Sequence, residues 1–256
     1  MGRVLALLYD VHGNLAALEA VLADAREQGA DAFLVGGDMT AFGGWPEETL
    51  ARLRGLEHAR FLRGNHERWA VEGDAVPDAP LARAGEAATH EALDEATIAE
   101  LYALPLSQPI PGGEAWHASP HSDVDGFLPE PAERDADLLL DRTPDLLVVG
   151  HTHLPLDREV VRRDGGRTRV VNPGSVGLPF DGDPRAAYAL LHDDGTIEHR
   201  RVAYDAAAAA ARQGERWGDA KWSSVVADTI RTGQPAPWPD TEPIPIVRPD
   251  QQEERA

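Results

Sequence analysis

Seven side chains of the types that hold divalent cations stand out in this sequence: Asp10, His12, Asp38, Asn65, His117, His151 and His153. A carboxylate can bridge two ions, a carboxamide offers a neutral carbonyl oxygen, and a neutral imidazole offers one nitrogen lone pair. Oxygen and nitrogen donors without sulfur suit Mn²⁺, Zn²⁺, Fe or Ni²⁺. The chain has no cysteine, which excludes disulfides, thiolate metal sites and cysteine nucleophiles. Asp10-Val11-His12 and His151-Thr152-His153 share one spacing, and in an extended segment residues two apart lie on one face, so each pair is expected to share an ion.

Taken singly, these fragments have ordinary explanations. An Asp-x-His is usually a cap or a surface pair, Gly36-Gly37-Asp38 is a turn, and Gly64-Asn65-His66 is a helix start. Their placement argues otherwise. Val4 to Tyr9 reads as a buried strand, followed by a helix capped by Asn14 with Leu15, Leu18, Val21, Leu22 and Ala25 on one face, stopped at Gly29. Ala32 to Val35 is a second strand, Pro46 opens a helix through Leu56, and Ala59 to Leu62 is a third strand. Glu114 to Ala118 and Leu146 to Val149 are two more, with a helix expected around Glu130 to Asp141. The donors therefore follow predicted strands, at the edge where open α/β sheets form their sites.

The strand–helix alternation predicts βαβ units and a largely parallel sheet in the first half. Residues 69–113 break that rhythm, with a turn-rich link at Val76 to Pro80 and a helical pattern from Glu91 to Leu104. They are expected to form an inserted helical flap. Later the period becomes two: Arg158 to Arg163 with Arg167 to Val171, and Ala187 to His192 with Thr196 to Val202, read as hairpins in an antiparallel region. Ala206 to Arg212 and Trp222 to Ile230 are helix-prone. The expected organisation is one domain over 1–256, with a Pro-rich tail over about 234–256.

Hydrophobic residues make up 42% and charged residues 27%, so an ordinary core can form. The formal charge of −20 repels polyanions at long range and argues against long nucleic acid as a partner. It leaves room for a small phosphorylated substrate, because bound divalent ions reverse the field of one pocket. The apolar run Val4 to Tyr9 is too short for a signal-peptide core, and no stretch has the ~18 apolar residues of a membrane span. A cytoplasmic protein without a membrane partner is the expectation; the number of subunits is not legible.

Across about residues 3–180 the chain resembles the calcineurin-like metallophosphoesterases. The resemblance rests on Asp10-Val11-His12-Gly13-Asn14, Gly37-Asp38, Gly64-Asn65-His66-Glu67, His117, Gly150-His151-Thr152-His153 and Asn172-Pro173-Gly174-Ser175, in the family's order; the small bacterial phosphodiesterases of the superfamily are most similar. It implies an α/β fold of two mixed sheets packed between helices, an αββα sandwich. It implies two divalent ions, Mn²⁺ foremost, one bound by Asp10, His12, Asp38 and His153, the other by Asp38, Asn65, His117 and His151. Asp38 would bridge them, and His66 would contact the phosphate as general acid toward the leaving oxygen. Tyr9, where serine is common, the run Met39 to Phe42, and Trp116-His117-Ala118 depart from the usual pattern without removing a ligand.

Other residues receive weaker roles. His121 competes with His117, but Pro120 places it in a loop whereas Ala115 and Trp116 read as strand. Ser175 has no separate His/Asp pair to activate it, so Asn172, Gly174 and Ser175 read as a rigid loop behind the metal histidines. Phe42, Trp45, Trp69 and Phe127 are expected to pack in the core or flap rather than on a base. The expected activity is hydrolysis of small phosphodiesters, cyclic nucleotides among them, by a metal-bridging hydroxide. Phosphomonoester hydrolysis and a non-catalytic protein-interaction scaffold, as in the retromer subunit of this fold, are the alternatives.

Overall fold

A computed structural model of the protein describes residues 3–140 and 142–236. Two five-stranded sheets carry the molecule. In the first, β1 (Val4–Leu8), β2 (Ala32–Val35) and β3 (Ala59–Phe61) are parallel, and β9 (Ala186–His192) and β10 (Ile197–Val202) extend it antiparallel beyond β1. In the second, the order is β4 (Ser107–Ile110), β5 (Gly113–Trp116), β6 (Leu146–Val148), β8 (Arg167–Asn172), β7 (Leu156–Val161).

Strand periodicity explains how the sheets stack. Leu5, Leu7 and Tyr9 alternate with Ala6 and Leu8, and both sets are buried. The first set meets Ala115, Val148 and Val171 between the sheets. The second meets α1 (Leu15–Glu27) and α2 (Pro46–Arg54) through Leu18, Val21, Leu22, Leu50 and Leu53. Such two-sided burial is what a near-continuous apolar strand encodes. Phe127, Leu138 and Leu139 cover the outer face of the second sheet against Leu147, Val149 and Val170. A last helical pair, α6 (Ala206–Trp217) and α7 (Lys221–Thr232), packs beside the loop at Leu178.

Tyr9 occupies a space that two glycines vacate. Its hydroxyl donates to the Val148 carbonyl across the sheets (3.3 Å), and a Cβ on Gly36 or Gly150 would stand 2.1 or 2.3 Å from its ring carbons. The missing side chains of Gly36, after β2, and Gly150, after β6, thus make room for this bulky residue.

Several expectations need correction. The later part is not wholly antiparallel: β8 pairs parallel with β6 as well as antiparallel with β7, and β5 pairs parallel with β6. The insert is not purely helical. It follows α3 (Asn65–Trp69) and contains α4 (Pro80–Ala92), which starts on Pro80 as a first-turn proline, α5 (Glu95–Tyr102), and then β4 as an edge strand. The pattern from Glu91 to Leu104 is broken because Asp94 caps α5, its carboxylate accepting from Thr97 N–H at 2.8 Å.

The helix expected around Glu130 to Asp141 is only a 3₁₀ segment, Glu133–Leu138. Pro129 and Pro131 supply no N–H there, and Asp135 turns back to accept from Ala132 N–H (3.0 Å) while pairing with Arg158 (2.8 Å). Asp141 and most of the Pro-rich tail, 237–256, lie outside the described residues.

Candidate metal centre

Each donor stands on the loop that leaves the carboxyl end of a strand: Asp10 and His12 after β1, Asp38 after β2, Asn65 at the start of α3 after β3, His117 after β5, His151 and His153 after β6. The two sheets therefore deliver all seven to one edge. Asp10, His12, Asp38, Asn65, His117 and His153 are almost fully buried, and His151 is partly so.

The local geometry differs from the extended pairs expected. Asp10 (φ 54°), His12 (φ 48°), Asp38 (φ 53°), His151 (φ 65°) and His153 (φ 58°) all adopt left-handed backbone. For residues other than glycine this costs about 1–2 kcal/mol each. Strain of this kind gathers where surrounding structure over-determines it, characteristically at functional sites. Here the loops brace one another: His12 N–H donates to Asp38 C=O (2.9 Å), Gly13 N–H to Met39 C=O (2.9 Å), and His151 N–H to Asp10 Oδ2 (3.0 Å).

The donors form two groups, Asp10 with His12 and His153, and Asp38 with His117 and His151, the offered atoms of each group lying within 4.8 Å of one another. Asp38 Oδ2 lies between them, 3.8 Å from His12 Nε2 and 3.5 Å from His117 Nε2. Three imidazoles are oriented from behind by backbone carbonyls: Nδ1–H of His12 donates to Ala41 (3.2 Å), of His117 to Gly36 (2.8 Å) and of His153 to Leu178 (2.5 Å). The neutral rings of His12 and His153 then turn their Nε2 lone pairs inward, as metal-ligating histidines do.

These atoms fit a pair of divalent cations. His12 Nε2 and His153 Nε2 stand 3.1 Å apart, lone pair toward lone pair. One end of the Asn65 carboxamide lies 2.9 Å from both His117 Nε2 and His151 Nδ1, so the three side chains converge on one point. Asp10 Oδ1 is buried with no hydrogen-bond partner. Clustered acceptors without donors are costly unless a positive charge lies among them.

Burial lowers the pKa of His12 to about 3 and of His151 to about 4, and pushes His153 well down, keeping those rings neutral and able to ligate. Burial also opposes charge on His117, but Asp38 and Asp10 outweigh it and hold that ring at about 10. Burial raises Asp10, whereas the surrounding histidines outweigh burial at Asp38 and keep it ionised.

His66 stands beside this cage, its N–H donating to Asp38 Oδ1 (3.0 Å). Its ring sits edge-on between Phe42 (4.8 Å between centroids) and Trp69 (4.7 Å), and its Nδ1 has no protein partner. Burial lowers its pKa. Asn172 Nδ2 donates to Gly150 C=O (2.9 Å) and to Thr152 Oγ1 (3.0 Å), Gly174 N–H donates to Asn172 Oδ1 (2.8 Å), and Ser175 Oγ donates to Asp10 C=O (2.7 Å). This loop thus holds the backbone of both paired segments. His121 lies elsewhere, against Leu139 C=O (3.3 Å).

Sequence reasoning gave three contributors no role. Glu67 is buried, and its carboxylate accepts from Asp38 N–H (2.9 Å), Met39 N–H (2.8 Å) and Gly64 N–H (2.8 Å), locking the loops of Asp38 and Asn65 together. Its place three residues after Gly64, where a capping-box glutamate reaches back, was the available signal. Arg68 grips Asp123 with two bonds (2.6 and 2.7 Å), tying α3 to the loop after β5, and no local pattern reveals that pair. His199, given no role, bonds Asn172 C=O at 2.9 Å.

A cavity of about 400 Å³ opens over the centre, lined by His12, Asp38, Asn65, His66, His151 and His153. Phe42 and Trp69 also line it, while Trp45 and Phe127 pack as expected.

Residues 4–195 match the calcineurin-like phosphoesterase superfamily domain. The chain belongs to this superfamily. An uncharacterized protein of Methanocaldococcus jannaschii is similar, 30% identical over 221 residues that cover 79% of this chain and 88% of that one. The crystal structure of a metallophosphoesterase from Sphaerobacter thermophilus superposes with a TM-score of 0.74 at 27% identity, covering 91% of this chain and all of the other. A hypothetical protein from Pyrococcus horikoshii shares the fold (TM-score 0.73, 21% identity, 91% and 99% covered). As a calcineurin-like phosphoesterase, the protein has Asp/His clusters that fit the family's dinuclear site. Among the described residues no helix is long and apolar enough to cross a membrane.

Proposed function

We propose that this protein hydrolyses small phosphodiesters with two divalent cations, Mn²⁺ foremost and Fe, Zn²⁺ or Ni²⁺ as alternatives. One observation carries the reading: two donor groups meet at Asp38 on the floor of a single cavity. Asp10, His12, Asp38 and His153 would hold one cation, and Asp38, Asn65, His117 and His151 the other. When bound, such a pair lowers the pKa of water and neutralises charge on phosphoryl oxygens.

The remaining work belongs to the chain's own residues. His66, adjoining both Asp38 and the cavity, would give a proton to the departing oxygen. Burial keeps its pKa low in the free protein, and an anionic phosphoester beside it acts in the opposite direction, favouring the protonated ring when substrate is present. Phe42 and Trp69 fix the ring's position and keep water from its flanks. The size of the cavity suits a small ester, and the −20 charge disfavours long nucleic acid.

The test is turnover by metal-stripped protein reloaded with one metal at a time, using bis(p-nitrophenyl) phosphate, p-nitrophenyl phosphate and 3′,5′-cyclic AMP. The expected result is Mn²⁺-dependent hydrolysis with diesters ahead of the monoester. Faster monoester turnover with every metal would make the protein a phosphomonoesterase, and no turnover with any metal would end the enzymatic reading.

A further inference from the structure

The walls of the cavity above the donors are built differently from its floor. Leu81 from α4, Val124 and Leu128 from the loop after β5, Leu178 and Phe180 from the loop after β8, and Val225 and Val226 from α7 close it in. Phe180 stacks on the His153 ring (4.2 Å, 27°), so the apolar wall begins in contact with the donor set itself. Arg134 is the one Lys or Arg side chain among the lining residues, and it faces Asp125 (3.8 Å). A sugar phosphate or other polyol would find few hydrogen-bonding partners on these walls, and burying its hydroxyls there would be unfavourable.

α7 (Lys221–Thr232) supplies one side of this wall. It lies beyond the residues that match the superfamily domain, which end at 195. Val226 is 3% exposed and also packs into the cluster with Leu178, Ala209 and Ile230, so the wall is anchored rather than adaptable.

From this continuity between donors and apolar walls we propose that the substrate is a phosphoester carrying a bulky apolar organic group, which lies between α7 and the loop at 124–128 while its phosphate sits on the cations. This rests on the phosphoesterase reading and adds its substrate class. A planar aryl group and an alkyl chain share the required chemistry.

The experiment compares diesters with a common p-nitrophenolate leaving group and a methyl, octyl or 2-naphthyl group as the second ester, assayed with Mn²⁺-loaded full-length protein. The leaving group is then shared, and the ratio of kcat/KM for each bulky ester to that for the methyl ester, divided by the corresponding ratio of uncatalysed hydrolysis rates, reports the walls. A ratio of roughly 10 or more is expected, since a specific apolar group contributes at this scale. The larger of the two ratios tells aryl from alkyl. Val226→Asp should reduce it severalfold; because a buried charge can unfold the helix, Val225→Ser and Val226→Thr serve as milder variants with the same expected direction.

Calorimetric binding of 2-naphthylphosphonate against methylphosphonate to the protein gives a second readout, with tighter binding and a more negative heat-capacity change expected for the naphthyl compound. Equal turnover of all three esters, or equal binding of the two phosphonates, overturns the inference and leaves the phosphoesterase reading standing. Naphthyl-selective binding without turnover of any ester would support the apolar pocket and remove the hydrolase.

Discussion

His12 and His153 are 141 positions apart in the chain, and their Nε2 atoms are 3.1 Å from each other. Both Nδ1–H groups are committed to backbone carbonyls, so the two nitrogens face one another as acceptors. Asp10 Oδ1 lies 3.6 Å from His153 Nε2. One cation would satisfy all three atoms, and Asp38 Oδ2 stands between this group and the second. His153→Ala should therefore reduce retained metal from about two ions per chain to about one, whereas Asp38→Ala should lose both. Metal analysis after dialysis of loaded protein checks this, and undiminished metal in the Asp38 variant would sink the bridging assignment.

His66→Ala separates chemistry from metal binding. The side chain is not in either donor group, and only its backbone N–H touches Asp38. Metal content should stay at the wild-type value while kcat falls by roughly 10²–10⁴, the usual size of general acid catalysis. A fall within a few-fold would place the proton elsewhere.

Glu67→Gln tests the brace beneath the loops. The carboxylate accepts three backbone N–H groups through two oxygens. A carboxamide must turn its NH₂ toward at least one of them, leaving a buried donor unmet at about 1–3 kcal/mol. Tm should drop by roughly 2–4 °C per kcal/mol for a chain of this size. Metal affinity should fall about 10- to 100-fold as the Asp38 and Asn65 loops loosen. A Tm and an affinity both equal to wild type would show that the three bonds are incidental.

Chelated protein should be most stable near neutral pH. His12 (about 3), His151 (about 4), His66 and His153 are depressed by burial, while unfolded histidines titrate near ~6.5. Below that value the unfolded chain binds more protons, so their contribution is present above ~6.5 and lost as pH falls toward the folded values. His117, at about 10 in the fold because Asp38 and Asp10 outweigh its burial, works the other way: its contribution is complete below ~6.5 and disappears as pH rises through 10. Thermal scans in EDTA from pH 5 to 10 should trace both limbs, and His12→Gln with His151→Gln should flatten the acid one. An acid limb unchanged in that double variant would contradict the account.

Much was legible before any tertiary contact was considered. The apolar run before Asp10, Asn14 at a helix start and Pro46 in a first turn all act through neighbours a few residues away, and β1, α1 and α2 stand where those signals put them. The segment at Glu130 misled because its alternation of acidic and apolar residues mimics a helical face, while two prolines and the ties of Asp135 allow only a 3₁₀ turn. The left-handed conformation of Asp10 and His12 was invisible for a related reason: nothing in an Asp-x-His triplet favours it, and the bonds that impose it come from the Asp38 loop.

By itself the sequence determined the donor types, their order and their positions at strand ends, because these follow from local propensity and from chemistry each side chain carries alone. The tertiary structure decided which donors meet. Parallel pairing of β5, β6 and β8, and the stacking of that sheet on the first, bring His117 and His151 to Asp38 and leave His153 beside His12. It also decided that Glu67 locks two loops and that α7 walls the cavity, since both depend on contacts between segments whose separation along the chain conceals their proximity in space.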